Sequence, residues 1–248
     1  MGDGPGSGVD LDRLAGAYGH RAVGSADRER AAEAMRAAGL GRGDLAVDVG
    51  GGRGTHAEVF AGSGARVLVV DLSPAMAHRS AEAGLLAVVA DGHRLPVADR
   101  TARLVYFHLS IHHGDPARLI GEAARVAASG GTVWVWTLDP AHHRSSFLAR
   151  WFPSVPGIDE ARFPDPALLG DLMVGRGLAL LEPRIRREQI ARTAGDWEEA
   201  VRAGFVSTLH LLPPGEIEEG LDRFHAVHPD PAERISYELV YRSVAGRS

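Results

Sequence analysis

The sequence contains no cysteine and no lysine. Without cysteine the protein has no disulfides, no thiolate nucleophile, no Cys-ligated zinc and no iron–sulfur cluster held by its own thiolates. Without lysine, all 27 basic residues are arginines. That excludes Schiff-base chemistry, a Walker-type phosphate loop and a reductase built on a Tyr-Lys pair. Excess charge is also scarce: the formal net charge is −5, so no global field favours a phosphate backbone or an anionic membrane. An Asn-Pro-Pro-Tyr segment is missing, and no thiol is present to attack cytosine. A small-molecule partner is therefore expected, with no nucleic acid and no membrane. No apolar run approaches membrane-spanning length, and Met1 to Gly8 lacks the basic and apolar regions of a signal peptide. The expectation is a cytoplasmic soluble protein, monomeric or homodimeric. A lysine-free composition fits a GC-rich bacterial source, where secondary metabolism is a common setting.

What is present suits one α/β domain with insertions. A chain of 248 residues, 45% of them hydrophobic, can bury one large core with a smaller subdomain. An amphipathic helix is predicted over residues 25–39, with Ser25 or Asp27 near its cap. Strands follow at Leu45–Val49, Arg66–Val70, Leu85–Ala90, Ala102–Phe107 and Gly131–Leu138, with helices at Thr55–Ala61, Pro74–Ala83 and Pro116–Ala127. This alternation implies a parallel sheet covered on both faces. Beyond Pro140 the pattern loosens. Residues 140–166 read as a loop or lid insert, 167–190 as completion of the core with a sixth strand at Leu178–Arg184, 191–230 as a helical cap and 231–248 as the final strand, Ile235–Val244. Residues 1–24 precede the core, which runs over 25–139.

The strand Leu45–Val49 breaks into Gly50-Gly51-Gly52-Arg53-Gly54, and Asp71 ends the next apolar run. Glycines at a strand end let a ligand approach the backbone, and a carboxylate at the end of the neighbouring strand can accept both hydroxyls of a ribose. The third strand also ends in an acid, Asp91, followed by Gly92-His93. A carboxylate there can accept an adenine amino group. The alternatives are a packing turn with an incidental Asp71 and a surface Asp-Gly turn.

The segments VDVGGGRG, VVDLSPAM, VADGHRLPVAD, YFHLSIHH and VAASGG, spanning about residues 12–138, resemble class I S-adenosylmethionine-dependent methyltransferases. The resemblance is to the small-molecule group with a methyltransferase type 11 domain, which includes the ubiquinone-biosynthesis C-methyltransferases. It implies a Rossmann-like seven-stranded, mostly parallel sheet with helices on both faces, an antiparallel last strand and helical lid insertions. S-adenosylmethionine would lie across the carboxyl ends of the first four strands. By motif, Gly50 and Gly52 would face its methionine part with Asp48 supporting the loop. Asp71 would bind the ribose diol, Leu72 and Met76 would pack on adenine or ribose, and Asp91, Gly92 and His93 would surround adenine. His108 would contact the methionine amino group through its backbone, and Tyr18, within a segment of residues 1–24, would close over the cofactor. Arg53 and His93 depart from the residues usual at their positions, without removing a required group.

His108, His112 and His113 lie at or beyond the fourth strand and are candidate general bases, since imidazole titrates near neutrality. The competing reading is packing under the cofactor or helix capping. The adjacent pairs 112–113 and 142–143 lack the i, i+4 spacing of His-rich zinc motifs, so no metal is expected. His142, Trp151 and Phe152 are candidates for an acceptor pocket, whereas Trp134 and Trp136 sit on a strand and suit the core. The expected activity is transfer of a methyl group to O, C or N of a small metabolite. The alternatives are a repurposed S-adenosylmethionine-binding protein and a nicotinamide-dependent oxidoreductase.

Overall fold

The computed structural model describes residues 24–248. Helix α1 (Ser25–Ala38) stops at Gly39, whose left-handed backbone (φ 61°) lets its amide close the last turn on Arg36 and Met35. The apolar run Leu45–Val49 forms β1, buried from Ala46 onward. After the glycine turn come α2 (Thr55–Ala61), β2 (Arg66–Asp71), α3 (Pro74–Glu82), β3 (Leu86–Val89) and β4 (Ala102–His108). Then follow α4 (Pro116–Val126) and β5 (Ala127–Leu138). Ser73 and Asp115 cap α3 and α4, each accepting amide hydrogen bonds just ahead of a proline in the first turn. That placement uses proline's fixed φ and its missing N–H where neither disturbs the helix.

Five parallel strands run in the order β3-β2-β1-β4-β5. The long strand β8 (Arg234–Arg247) pairs antiparallel with β5. Along the far side of β8 lie two strands end to end, β6 (Ala179–Leu180) and β7 (Ile185–Thr193), both antiparallel to it. The sheet thus has eight strands filling seven positions, the outermost interrupted around Pro183. The expected sixth strand over 178–184 shrinks to two residues. Residues 185–193, which the sequence pattern left without an element, are a nine-residue strand, so the cap boundary expected at 191 falls inside it.

The segment 140–166 is helical rather than a loop: α5 (Pro140–Ser145), α6 (Phe147–Trp151) and α7 (Val155–Arg162) fill most of it. Three of its prolines, Pro140, Pro156 and Pro166, open helices instead of breaking them. Helix α8 (Pro166–Val174) packs beside α4 and β8. Helices α9 (Ala194–Ala203) and α10 (Glu216–Val227) complete a cap. One face of the sheet is packed around Val47, Val105 and Val133 with Ile120 and Met173, the other around Ala34, Phe60, Tyr106, Trp134 and Trp136. The cap holds its own core of Trp151, Phe152, Trp197, Leu221 and Phe224.

Candidate functional site

Strand order reverses between β1 and β4, and a crevice opens outside their carboxyl ends, where open α/β sheets hold ligands. Two cavities meet there, with Gly50 and Leu109 in the walls of both. Gly50 has φ +67°, and a Cβ on it would come within 2.5 Å of the Ser110 Cβ. Only glycine lets the two turns touch, and the Ser110 hydroxyl locks the contact by donating to the Val49 carbonyl at 2.6 Å. Leu109, at the junction, holds a positive φ of 49°, a strained conformation for a residue with a side chain.

The smaller cavity runs over the ends of β1, β2 and β3. Its walls include Gly50, Gly52, Asp71, Leu72, Met76, Asp91, Gly92 and His93, eight of the residues expected to hold the cofactor. Asp71 is 9% exposed and accepts the Gly52 and Ser73 amides, both at 2.9 Å. A buried acid is thereby pinned to the glycine turn in a defined orientation. Asp91 accepts the His93 amide and ring Nδ1 on one oxygen. Burial opposes its ionisation, but the two His93 bonds and Arg118 outweigh that and hold it below the ordinary carboxylate range. His93 Nε2 accepts the Asp115 amide at 2.9 Å, so the ring is the neutral Nδ1–H tautomer. The glycine cradle, the buried acid for a diol and the second acid one strand further out fit the nucleoside part of S-adenosylmethionine.

Asp48 lies beneath this floor, fully buried, with no hydrogen bond of good geometry at either oxygen. A Cβ on Gly51 would come within 2.7 Å of its carboxyl group, so the acid packs directly against the turn. Ser110, His113 and Gly114, from the turn after β4, also line the cavity. Tyr18 lies outside the described residues.

The larger cavity, about 1420 Å³ including its open mouth, lies between the sheet end and the cap. Aromatic and aliphatic residues such as Phe147, Leu148, Phe163, Phe205, Tyr237 and Leu239 form most of its wall. Its polar lining includes His142, Asp159, Ser207 and Thr208 from the cap, and Asp27, His56 and His108, which lie close together. Burial pulls His142 down to about 4, with His143 acting in the same direction, so it is neutral near pH 7. Burial pushes Asp159 up despite the hydrogen bond from Thr208.

The candidate bases separate. His113 faces the smaller cavity and His112 the larger one, where the His112 ring stacks on Phe163 at 4.0 Å. The His108 side chain lies on the larger cavity rather than the cofactor side, because Arg30 holds it by donating to its Nε2 at 3.1 Å. Trp151 and Phe152 do not line the cavity. Both are buried among Phe224, Trp197 and Leu221 in the cap core, since their helix turns its aromatic face toward α9 and α10. Phe147 and Trp197 occupy the wall instead.

Arg30 is 1% exposed. It pairs with Asp27 and Glu188 and lies over the Tyr241 ring at 4.0 Å. Donor atoms of Asp27, His56 and His108 lie within 4.8 Å of one another, a spacing compatible with a metal ion. Arg30 already donates to His108 Nε2 and Asp27 Oδ1, so it competes with a metal ion for two of the three ligand atoms. His56 escaped the sequence reading because no spacing ties it to Asp27, which comes from a different helix.

The methyltransferase domain family model matches residues 47–135. No curated protein matches the chain. Among solved structures, a candidate methyltransferase from an antibiotic biosynthesis pathway of Anabaena variabilis ATCC 29413 is similar, with TM-score 0.65 and 17% identity over 87% of this chain and 96% of that one. The geranyl diphosphate C-methyltransferase of Streptomyces coelicolor A3(2), solved with Mg2+, geranyl diphosphate and S-adenosyl-L-homocysteine, gives TM-score 0.53 and 18% identity over 88% and 79% of the two chains. The [4+2]-cyclase SpnF gives TM-score 0.58 and 16% identity over 89% and 80%. At these identities the likeness is one of fold.

Proposed function

We propose that this chain, whose residues 47–135 match the methyltransferase domain family model, binds S-adenosylmethionine and transfers its methyl group to an O, C or N atom of a small, partly apolar metabolite. The observation that carries this reading is the pair of cavities sharing Gly50 and Leu109. One offers acids and glycines for a nucleoside and the other a mainly apolar chamber for an acceptor. When bound, S-adenosylmethionine supplies the electrophile, a methyl group on a positively charged sulfur. The chain's own work is to hold, align and exclude water. Asp71 takes the ribose hydroxyls, Asp91 the adenine amino group, and Leu72 and Met76 pack on the rings. The cap built from 140–166 and 191–230 covers the acceptor. The domain order expected from the sequence is kept in this reading, with 191–193 transferred from cap to sheet.

Calorimetry with S-adenosylhomocysteine tests the cofactor site. Asp71→Ala is expected to weaken binding at least tenfold, since a hydrogen bond to a charged acceptor is worth about 1.5–3 kcal/mol. Unchanged affinity would remove Asp71 from the site. Because the SpnF cyclase shares this fold, the reaction is tested separately, by the mass of products formed from labelled S-adenosylmethionine in extracts of the source organism. Products without an added methyl group would favour a repurposed cofactor-binding protein.

A further inference from the structure

We propose that His56, paired with Asp27, is the proton acceptor for the methyl acceptor, and that the acceptor atom is the weakly acidic hydroxyl of a phenol or enol carried on an apolar body. This rests on the reading of the larger cavity as the acceptor chamber.

His56 stands on α2, directly after the glycine turn, and lines the chamber next to Gly50 and Gly51. Its Nε2 faces Asp27 Oδ1 at 3.8 Å, a small ring rotation from a hydrogen bond, which leaves Nδ1 for the acceptor. Burial opposes ionisation of Asp27, but His56, Arg30 and the Gly24 amide together hold it below its ordinary range. The carboxylate is thus charged and placed to stabilise an imidazolium. His108, the histidine nearest to it, has its Nε2 occupied by Arg30 and stands 4.2 Å from the His56 ring. Arg30, itself neutralised by Glu188 and Asp27, fixes His108 as a wall and leaves His56 as the base.

The other groups facing His56 are consistent with this division. Asp48 on β1 adds negative charge beneath the ring. Tyr106 on β4 packs against it at 5.4 Å between centroids, with burial holding its phenol far above the ordinary range and so un-ionised. The chamber walls select the body of the substrate. Phe147, Leu148, Phe163 and Leu239 suit rings or an alkyl chain, and the ionisable head then lies at the end where the glycine turn admits the methyl donor. The proton leaves the hydroxyl for His56 Nδ1. The oxygen lone pair forms the new bond to carbon as the carbon–sulfur bond breaks with its electrons going to sulfur. The imidazolium later returns its proton to water.

A test independent of the cofactor uses 4-nitrophenol, whose ionised form absorbs in the visible. With the protein alone, at a pH below the probe's own ionisation midpoint, binding is expected to raise the ionised band. His56→Gln, which keeps the size of the ring, is expected to abolish that band, and Asp27→Asn to reduce it severalfold. His78→Gln, at an exposed histidine that lines neither cavity, should leave it in place, and circular dichroism verifies folding of each variant. In the turnover assay, His56→Gln should lower kcat by about 10²–10⁴ and remove the acid limb of the pH profile, while S-adenosylhomocysteine affinity stays unchanged. Persistence of the band in His56→Gln, its loss in His78→Gln, or no binding of the probe by the unaltered chain would each overturn the proposal. None of these outcomes bears on Asp71 or on the cofactor cavity.

Discussion

Asp48 and His142 show how much a single buried titratable side chain can ask of the fold. Burial pushes the Asp48 carboxyl up to about 6; the charge of Asp71 adds to that, and His56 opposes it. In the unfolded chain the same group titrates near 3.8. Between those values the folded form binds more protons, so stability falls as pH rises from about 4 to about 6, and the deficit persists at higher pH. Two pH units correspond to on the order of 3 kcal/mol. His142 works in the opposite sense. With its folded value near 4 against an ordinary 6.5, it contributes stability above pH 6.5 that is lost as pH falls toward 4. The two slopes oppose each other in the acid range. Asp48→Asn, equal in size but without charge, is expected to raise unfolding free energy by up to about 3 kcal/mol at pH 8 and to change it little at about pH 3.5. It should also expose the acid sensitivity due to His142. Denaturant titrations at both pH values check this, and a loss of stability at pH 8 would mean that the carboxylate makes an indispensable hydrogen bond.

At the scale of elements, the strand that escaped the sequence reading also completes the ionic network. Residues Ile185 to Thr193 read IRREQIART, a charged segment whose composition argues against a strand. Pairing with β8 along its whole length makes it one, and such long-range pairing leaves no local mark. Its charges also protect an edge that would otherwise template aggregation. Glu188 faces inward and pairs with Arg30 on α1, joining the first helix to the last edge of the sheet. Removing one partner of a buried pair strands the other, at a cost of about 3–5 kcal/mol, whereas replacing both with apolar groups is often neutral. Because Asp27 remains beside Arg30, Glu188→Leu is expected to cost about 2–4 kcal/mol, and the double variant Arg30→Met with Glu188→Leu to recover most of it. A single variant as stable as the unaltered chain would show that Asp27 alone satisfies the guanidinium. The loop alternative for 140–166 arose for a different reason. Pro140, Pro156 and Pro166 each lie in the first turn of a helix, and proline frequency cannot by itself distinguish a loop from a series of helix starts.

Across the whole molecule, the grouping of residues around the smaller cavity was legible because each of its parts is local: a strand, a glycine turn, and one acid at each of two further strand ends. The parallel sheet was legible from the alternation that builds it. The larger cavity draws on α1, α2, β4, β7, β8 and the cap, so its members have no common spacing, and His56, Phe147 and Trp197 emerge only in three dimensions. Whether sheet and cap respond as one body to a ligand can be tested with the four tryptophans, which divide evenly. Trp134 and Trp136 lie on the sheet, and Trp151 and Trp197 in the cap core. Ile235 of β8 is packed into that cap core while Val244 of the same strand belongs to the sheet, so one continuous strand ties the two together. S-adenosylhomocysteine at about 100 times its Kd should stabilise the folded chain by about 2.7 kcal/mol. For a chain of this size that raises Tm by roughly 5–10 °C. In a variant with both sheet tryptophans changed to Phe, fluorescence reports the cap, and with both cap tryptophans changed it reports the sheet. The ligand is expected to raise the transition seen by each reporter by the same amount, because the cap cannot detach from β8 without disrupting the sheet. A shift confined to the sheet reporter would show the cap unfolding on its own, a separate unit hinged on β8 rather than one cooperative body with the sheet.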